Sequence, residues 1–367
     1  MRFPEFSGEW ESTPISNIAD IIGGGTPDTS VDEYWGGNIQ WFTPSEIGKE
    51  KYAYLSDRTI TEAGLKNSSA KLLPQGTVLL STRATIGECS IATAECTTNQ
   101  GFQSLVAKEN NVSSEFLYYI VAKIKREMLR RSCGSTFLEI SANELKKIHA
   151  NIPSKAEQEK LVSLLSLIDQ RIETQKKIIE KYESLIRGLY HSVFNNPSSI
   201  LQLREVVSIV KGKQVNGEDL LEEGKYYVMN GGTEPSGYLD EYNTPANTIS
   251  ISEGGNSCGY VQYNTEPFWS GGHCYSLHQK DEGVNYSYLY HFLKYKERDI
   301  MALRIGSGLP NVQKKDLERF EVRVLPIEQQ DRVAEILEDI SAKCDIEKKI
   351  LQEWQWQKSF LLSNLFI

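Results

Sequence analysis

Apolar side chains at alternating spacings of four and three residues predict a long helix between residues 161 and 193. A second stretch with the same spacing runs from residue 333 to residue 365. This heptad pattern is typical of a coiled coil, and at 1.5 Å per residue each stripe would be roughly 50 Å long. The first stripe consists of Leu161, Leu165, Ile168, Ile172, Gln175, Ile179, Tyr182, Ile186, Leu189 and Val193. The second stripe consists of Val333, Leu337, Ile340, Cys344, Glu347, Leu351, Trp354, Lys358, Leu361 and Leu365.

The two helices belong to a longer internal repeat. Tyr288 lies 172 residues after Phe116, and from there the two copies align without a gap as far as Phe194 and Phe366. Further upstream, GTVLLST at residue 76 resembles NTISISE at residue 247. Each half is therefore predicted to be a variable module followed by a less variable helix. The predicted segments are a first module at residues 1–152, its helix at 153–196, a second module at 197–325 and its helix at 326–367.

A stripe of this length needs a partner helix, and the nearest candidate is the helix of the other repeat. Two copies of one unit pack most simply about a pseudo-two-fold axis, which would make the helices antiparallel. The open alternative is that each helix buries its stripe on its own module. Gln175 and Glu347 interrupt the stripes at equivalent positions. We hypothesise that they meet near the axis and help to fix the register.

The modules alternate β-branched or aromatic residues with Gly, Pro and Asn, which predicts short strands joined by turns. Examples in the first module are YWGGNIQWFTPSEIG and LLPQGTVLLSTRATIGECSIA, and the second module contains NTISISEGGNSCGYVQY. SSEFLYYIVAKIKREMLRR and YSYLYHFLKYK are predicted helices. The expected fold class is α+β. It consists of two mixed α/β modules with irregular, mostly antiparallel sheets, separated by two long helices that pack as an antiparallel coiled coil.

Composition narrows the possible functions. A chain of 367 residues with 40% hydrophobic content can build two cores. The net charge of −9 argues against non-specific coating of nucleic acid, which requires clustered Lys and Arg. The six cysteines form no Cys-x-x-Cys pair and no apolar run reaches about 18 residues. We therefore expect a cytoplasmic protein without a disulfide framework, a zinc site or a membrane segment.

No catalytic centre can be identified in the sequence. The Gly23-Gly24-Gly25-Thr26 run lacks the Gly-Lys-Ser/Thr ending of a phosphate-binding loop, so these glycines are interpreted as turns. The sequence NNPS at residues 195–198 is interpreted as a helix terminator and linker, because it lacks the features of an amino-methyltransferase motif. None of the five histidines stands beside a Ser or Cys nucleophile in a recognisable context. The prediction is a protein with no catalytic residue, no metal site and no bound cofactor.

Polar loop side chains remain as candidates for contacting double-stranded DNA. Arg pairs with guanine, and Asn or Gln with adenine, through two hydrogen bonds in the major groove, while Lys contacts phosphate. The alternative is that Asn and Ser in Gly-rich turns only cap their own backbone. The first-module candidates are Thr26, Thr43, Ser45, Ser81, Arg83, Thr85, Asn99, Gln100 and Gln103. The second-module candidates are Lys211, Lys213, Asn230, Ser252, Asn256, Ser270 and His273.

Several of these segments resemble the specificity subunits of type I restriction-modification systems. GGGTPDTSVDEYWGGNIQWFTPSEI, GTVLLSTRATIGECSIA and TTNQGFQSL look like the first target-recognition domain of that family. IPSKAEQEKLVSLLSLIDQRIE and VLPIEQQDRVAEILEDI look like the beginnings of its two conserved helical regions. The resemblance covers essentially the whole chain, although the second recognition domain matches more loosely.

The resemblance implies a non-catalytic subunit that directs two adenine methyltransferase subunits, and ATP-driven translocase-nuclease subunits, to a bipartite and asymmetric DNA site. S-adenosylmethionine would then belong to the methyltransferase, and ATP and magnesium to the translocase. The alternative function is a non-catalytic scaffold whose tandem modules bind protein or glycan and whose helices serve only for association. Sequence-specific DNA binding by the assembled complex distinguishes the two.

Overall fold

The computed structural model describes residues 2–134, 138–195, 199–306, 308 and 310–366. They form two compact units, Met1–Lys176 with Ile350–Ile367, and Lys177–Lys349. Each unit joins one module with parts of both long helices, so the structure groups the chain differently from the four predicted segments. Most of the predicted NNPS linker, including the boundary between residues 196 and 197, lies outside the described residues.

The first module contains ten strands and four short or medium helices within the described residues. In chain order they are β1 Glu11–Pro14, α1 Ile15–Ile18, β2 Ala19–Gly23, β3 Trp35–Phe42, β4 Tyr52–Ala53, β5 Arg58–Ile60, α2 Glu62–Lys66, β6 Val78–Leu80, β7 Cys89–Ala92, β8 Cys96–Thr98, β9 Gln103–Ala107, α3 Ser114–Arg131, α4 Ala142–Lys147 and β10 His149–Ile152. The first long helix, α5, follows at Lys155–Phe194.

The second module repeats this order with fewer strands. Its elements are β11 Ser199–Gln202, α6 Leu203–Val206, β12 Val207–Lys211, β13 Tyr226–Met229, β14 Tyr238–Leu239, β15 Thr248–Ser252, β16 Val261–Asn264, β17 Trp269–Ser270, β18 Cys274–Gln279, α7 Tyr286–Tyr295, α8 Glu297–Ala302, α9 Lys314–Glu318 and β19 Glu321–Val324. The second long helix, α10, spans Ile327–Leu365.

The sheets of the two modules have matching strand orders. The first module has a sheet of order β2-β9-β6-β7-β4 beside one of order β5-β3-β8, and the second has β12-β18-β15-β16 beside β14-β13-β17. Strand pairs are antiparallel except β3 with β8, β4 with β7, and β13 with β17, among the residues described. The predicted class, mixed α/β modules with mostly antiparallel sheets, is confirmed.

The helix that covers each main sheet begins with the same kind of cap. The Ser113 hydroxyl accepts a hydrogen bond from the Phe116 N–H at 3.1 Å at the start of α3. The Asn285 side chain accepts one from the Tyr288 N–H at 2.9 Å at the start of α7. Both caps satisfy a backbone donor that has no partner inside the helix. The capped residues Phe116 and Tyr288 are fully buried, so the cap also fixes where the core-facing side of each helix begins.

A buried glutamine anchors the start of each long helix to its module. The Gln158 Nε2 donates to the carbonyls of Pro153 and Asn111, both at 3.0 Å. The Gln330 Nε2, in the second copy, donates to the carbonyl of Leu325 at 2.7 Å and to that of Gly283 at 3.2 Å. In each copy, one side-chain amide therefore donates hydrogen bonds to two backbone carbonyls that lie outside the long helix.

Replacing Gln158 with methionine is expected to lower the free energy of unfolding by about 2 kcal/mol, because two backbone carbonyls lose their donor. The Gln330→Met variant should lose a similar amount. Chemical denaturation of each variant measures the effect. The Gln158→Glu variant keeps the shape of the side chain but also lacks the donor, so it should lose at least as much stability as Gln158→Met. Wild-type stability in both methionine variants would contradict the anchoring role.

The end of each long helix is buried in the core of a module. In the first unit the Phe366 ring stacks on Phe116 with 5.6 Å between centroids, and Lys123 Nζ donates to the Phe366 carbonyl at 2.6 Å. In the second unit the Phe194 ring packs edge-on against Tyr288 and Phe292, with 5.4 Å between centroids in each pair. Each module core is thus completed by the last turn of the long helix that begins beside the other module.

An ion pair joins the two long helices in each unit. Asp169 on α5 pairs with Lys358 on α10 at 2.7 Å in the first unit. Glu183 pairs with Lys348 at 3.1 Å in the second. From the first ion pair to the second, the residue number rises along α5 and falls along α10. This confirms the predicted antiparallel pair. The alternative, in which each helix packs only on its own module, is wrong because Phe366 lies in the first core.

The predicted stripes follow the least exposed line of both helices. None of the twenty stripe positions is classed as exposed, and Leu161, Leu165 and Leu337 are fully buried. Gln175 is buried and Glu347 is half-buried. Their proposed meeting near the axis stays a prediction.

The buried residue His291 makes the stability of the second unit depend on pH. Its ring is 2% exposed and its Nδ1 lies 2.9 Å from the Tyr190 hydroxyl. Burial lowers the pKa of His291 to about 4 from the ordinary value of 6.5. The unfolded chain therefore binds a proton between pH 6.5 and 4 that the folded chain does not, so stability falls as the pH is lowered through this range.

The expected loss is about 1.4 kcal/mol per pH unit, or about 3 kcal/mol over the whole range. The His291→Gln variant keeps an acceptor for Tyr190 and should lose this slope. Denaturant unfolding between pH 7 and pH 4 measures both proteins. Equal slopes in wild type and variant would contradict the assignment.

Candidate nucleic-acid interface

Four loops of the first module converge on one surface. They comprise residues 24–26, 43–46, 81–85 and 99–101, and we call them the first loop cluster. Backbone hydrogen bonds join them: Gly25 N to Thr98 O at 2.8 Å, Asn99 N to Phe42 O at 3.0 Å, and Thr82 N to Gly101 O at 2.9 Å. Loops that follow different strands are thereby held in one rigid frame.

The glycine run at the end of β2 makes this convergence possible. A Cβ on Gly24 would lie 2.0 Å from the Asn99 carbonyl oxygen, and one on Gly25 would lie 2.4 Å from the Ala70 nitrogen. Any side chain there would push the loops apart. The interpretation of these glycines as a structural turn, and not as a phosphate-binding loop, agrees with this packing.

The second module builds the same frame from different residues. Its loops comprise residues 211–214, 229–231, 252–256 and 270–273, and we call them the second loop cluster. Lys213 N donates to Ser270 O at 2.9 Å, Gly271 N to Met229 O at 2.8 Å, and Glu253 N to His273 O at 2.8 Å. These bonds reproduce, one for one, the three that join the first loop cluster.

One more hydrogen bond in each module shows which residues of the two clusters are equivalent. Ile140 N donates to Thr82 O at 3.1 Å, and Val312 N donates to Glu253 O at 2.8 Å. Val312 is the repeat equivalent of Ile140, so Thr82 and Glu253 occupy the same place. The same frame thus presents a small neutral side chain in one module and a carboxylate in the other.

The first-module candidates are partly engaged with one another. Arg83 pairs with Glu139 at 2.6 Å, and the Thr26 hydroxyl donates to Gln100. Asn99 accepts from the Gly101 N–H at 2.8 Å, which is a turn-capping role. The hydroxyl of Ser81, a buried residue, is bonded to the Arg83 carbonyl and to Thr85, both at 3.0 Å.

The remaining first-module candidates lie at the border of the cluster. The Thr43 hydroxyl bonds to Glu46 at 2.5 Å and to the exposed Ser45 at 3.0 Å. Gln103 is half-buried at the start of β9, opposite Gly23. Ser45, Arg83, Thr85 and Gln100 are the exposed members of the set.

The second-module candidates centre on an ion pair. Lys211 contacts Glu253 at 2.6 Å, and Asn230 accepts from the His273 N–H at 3.1 Å. Lys213, Asn256 and His273 are exposed. Two candidates are buried: the Ser252 hydroxyl donates to the Gly231 carbonyl at 2.6 Å, and that of Ser270 lies 3.5 Å from the Cys274 carbonyl. The hydroxyls of Ser81, Ser252 and Ser270 thus lie beside backbone carbonyls of their own module, and their role as DNA contacts stays a prediction.

Sequence reasoning missed Glu253 and Glu139, which are the counter-ions of the two clusters. The signal was nevertheless present, since aligning GTVLLST with NTISISE places Thr82 opposite Glu253. The alignment already showed that a carboxylate replaces a hydroxyl at one equivalent position.

The clusters offer hydrogen-bond donors, acceptors and cations, which are the groups that bind a polar polymer. Within the described residues no group of three or more His, Cys, Asp or Glu is placed to hold a metal ion. No helix in the described part of the chain is long and apolar enough to cross a membrane.

Comparison with protein families gives two matches along this chain. The model described as the type I restriction modification DNA specificity domain matches residues 7–184 and again residues 196–354. The two matched ranges follow the internal repeat.

Two curated relatives illustrate the similarity. The MjaIX type I restriction enzyme specificity subunit of Methanocaldococcus jannaschii is 40% identical over 190 residues, which cover 51% of this chain and 44% of that relative. The EcoprrI specificity subunit of Escherichia coli is 23% identical over 360 residues, covering 90% of this chain and 87% of the relative.

Two solved structures share the fold. The type I restriction-modification system S subunit from M. genitalium has a TM-score of 0.71 at 21% identity, covering 100% of this chain and 99% of that one. A chain from a structure on complex assembly and conformational transition of the type I restriction-modification system has a TM-score of 0.56 at 15% identity, covering 99% and 98%.

Proposed function

The chain belongs to the type I restriction-modification DNA specificity family, and from this premise we propose that it recognises a bipartite, asymmetric DNA site. The family is one of specificity proteins, so this chain is not a catalytic subunit. In the proposal each loop cluster enters the major groove at one half-site, and the base pairs between the half-sites are not read.

One observation carries the proposal: the two loop clusters share a backbone frame and differ in side chains. The three joining hydrogen bonds recur in both modules, while Thr82, Gly101 and Gly25 are replaced by Glu253, His273 and Lys213. Two modules that bind different DNA sequences need different side chains, and a shared backbone frame can carry them. Identical half-sites would need identical side chains.

The proposed partners follow from the family. Two adenine methyltransferase subunits would bind this chain together with double-stranded DNA, and translocase-nuclease subunits would join them. S-adenosylmethionine would be bound by the methyltransferase, and ATP and magnesium by the translocase. The partner subunits would also supply positive surface facing the DNA, which offsets the net charge of −9 on this chain.

Selection of duplexes from a randomised library by the chain assembled with its co-encoded methyltransferase tests the proposal. The enriched sequences should contain two unlike half-sites at a constant separation. Each wrong base pair in a half-site should weaken binding about 5- to 150-fold, corresponding to about 1–3 kcal/mol. No enrichment, or equal binding to all duplexes, would overturn the proposal.

Two variants sharpen this experiment. Arg83→Ala should alter preference in the first half-site only, because Arg83 lies in the first loop cluster. Lys213→Ala should weaken binding uniformly across sequences and lower the salt dependence by about one charge, because an exposed lysine contacts phosphate. Changes in the second half-site caused by Arg83→Ala would contradict the assignment of one cluster to one half-site.

A further inference from the structure

Glu253 is a carboxylate fixed inside the second loop cluster. Its side chain is 12% exposed, and its Oε1 accepts from Lys211 Nζ at 2.6 Å and from the Tyr275 hydroxyl at 3.1 Å. Its backbone is held on both sides, by the His273 carbonyl and the Val312 N–H. Few other conformations are open to a side chain held at this many points.

The second carboxylate oxygen has a different environment. Within the described part of the chain no hydrogen bond reaches Glu253 Oε2, and the His273 Nδ1 lies 3.6 Å away, beyond hydrogen-bond length. The Glu253 side chain is 12% exposed, so part of this carboxylate remains in contact with solvent. The cluster therefore presents one pre-positioned acceptor at its surface.

The first module has no equivalent acceptor. Thr82 occupies the same place in its frame, and its hydroxyl lies 3.2 Å from the Gly101 carbonyl and is fully buried. The acceptor at Oε2 is thus a property of the second loop cluster. It distinguishes the two modules at a position where their backbones agree.

We propose that Glu253 Oε2 accepts a hydrogen bond from the exocyclic amino group of one base in the second half-site, cytosine N4 or adenine N6. This inference rests on the proposed function. These two amino groups are the hydrogen-bond donors of the major groove, whereas guanine and thymine show acceptors to it. A phosphate oxygen is repelled by the carboxylate and is not an alternative ligand.

The wild-type complex can be tested with modified DNA. Starting from the selected target, each cytosine of the second half-site is replaced by 2-pyrimidinone and each adenine by purine, one at a time, so that only the amino group is removed. Binding should fall about tenfold at one position. The analogue that produces this loss shows whether the base is cytosine or adenine. No sensitive position in the second half-site overturns the inference.

The Glu253→Gln variant makes a sharper prediction. Lys211 and Tyr275 both donate to the Oε1 position, so the amide oxygen should take that place and the amide NH₂ should lie where Oε2 was. An acceptor becomes a donor, so a preference for cytosine at the sensitive position should change to guanine or thymine. A preference for adenine should lose its dependence on the N6 amino group, because adenine N7 can accept from the new NH₂. The first half-site and the separation should be unchanged. A folded variant that remains as sensitive as wild type to removal of the amino group overturns the inference.

Glu266→Gln is the matched control, since it removes the same charge from an exposed residue in the turn after β16. The pairing of Thr248 with Asn264 places that turn at the opposite end of β15 from Glu253. Its selected sequence should equal that of wild type. Tyr275→Phe provides a second variant if Glu253→Gln fails to fold, and it should lower the analogue effect to about threefold. A full tenfold effect in Tyr275→Phe counts against the inference.

The outcomes separate the two claims. Failure of the wild-type complex to select any sequence refutes the proposed function. A wild-type complex that selects two half-sites, with no amino group coupled to Glu253, leaves the function intact and refutes this inference alone.

Discussion

Replacing Phe366 with alanine is expected to destabilise the first unit by about 3–5 kcal/mol. The ring is 4% exposed and packs on Phe116 and on Trp10, whose centroid lies 6.1 Å away. Removing it opens a cavity between the end of α10 and the sheet-covering helix α3. Denaturant unfolding gives the size of the loss. Amide hydrogen exchange should locate it in the first unit, with protection in the second unit retained.

Phe360→Ala is the control for this experiment. Phe360 lies in α10, six residues before Phe366, but it is 41% exposed and stacks on the exposed Trp356. Its replacement should cost less than about 1 kcal/mol. Equal losses in the two variants, or a loss below 1 kcal/mol for Phe366→Ala, would show that the last turn of α10 does not complete the first core.

Inserting four residues after both Gln175 and Glu347 is expected to change the separation of the half-sites. One added turn lengthens each helix by about 6 Å, which corresponds to roughly two base pairs of duplex. Affinity for the original site should fall toward the non-specific level, by about 10³-fold or more. Library selection on the elongated protein should recover both original half-sites with a longer separation.

Lys181→Ala combined with Glu353→Ala changes exposed positions of the same helices without altering their length. This variant should keep the original separation. If the elongated protein instead selected altered half-sites at the old separation, the long helices would not determine the spacing.

The heptad stripe and the 172-residue repeat could be predicted from sequence because each is a regular pattern of residue types along the chain. Spacings of four and three identified the two long helices, and the internal repeat predicted their antiparallel pairing. The repeat also predicted equivalent modules. What it could not show is that Phe194 and Phe366 lie in cores built mainly from other parts of the chain, since no local pattern records a contact so distant in sequence.

The site was less predictable because exposure depends on loop conformation. Ser81 and Ser252 resemble candidate DNA contacts in sequence, yet their hydroxyls bond to carbonyls within their loops. The pairing of Glu253 with Lys211 at 2.6 Å depends on how two separate loops fold together, so it could not be predicted from sequence. Whether Arg83 leaves Glu139 to contact a base depends on the bound state, and its assignment stays a prediction.

Methylome sequencing of the host, with and without the gene for this chain, is the decisive measurement. We expect one methylated motif that depends on the chain and consists of two unlike half-sites separated by a constant number of unread base pairs. When the Lys213→Ala protein replaces the wild type, the same motif should be methylated less completely. An unchanged methylome on removal of the gene, or a dependent motif that is continuous, would contradict recognition of a bipartite site by this chain.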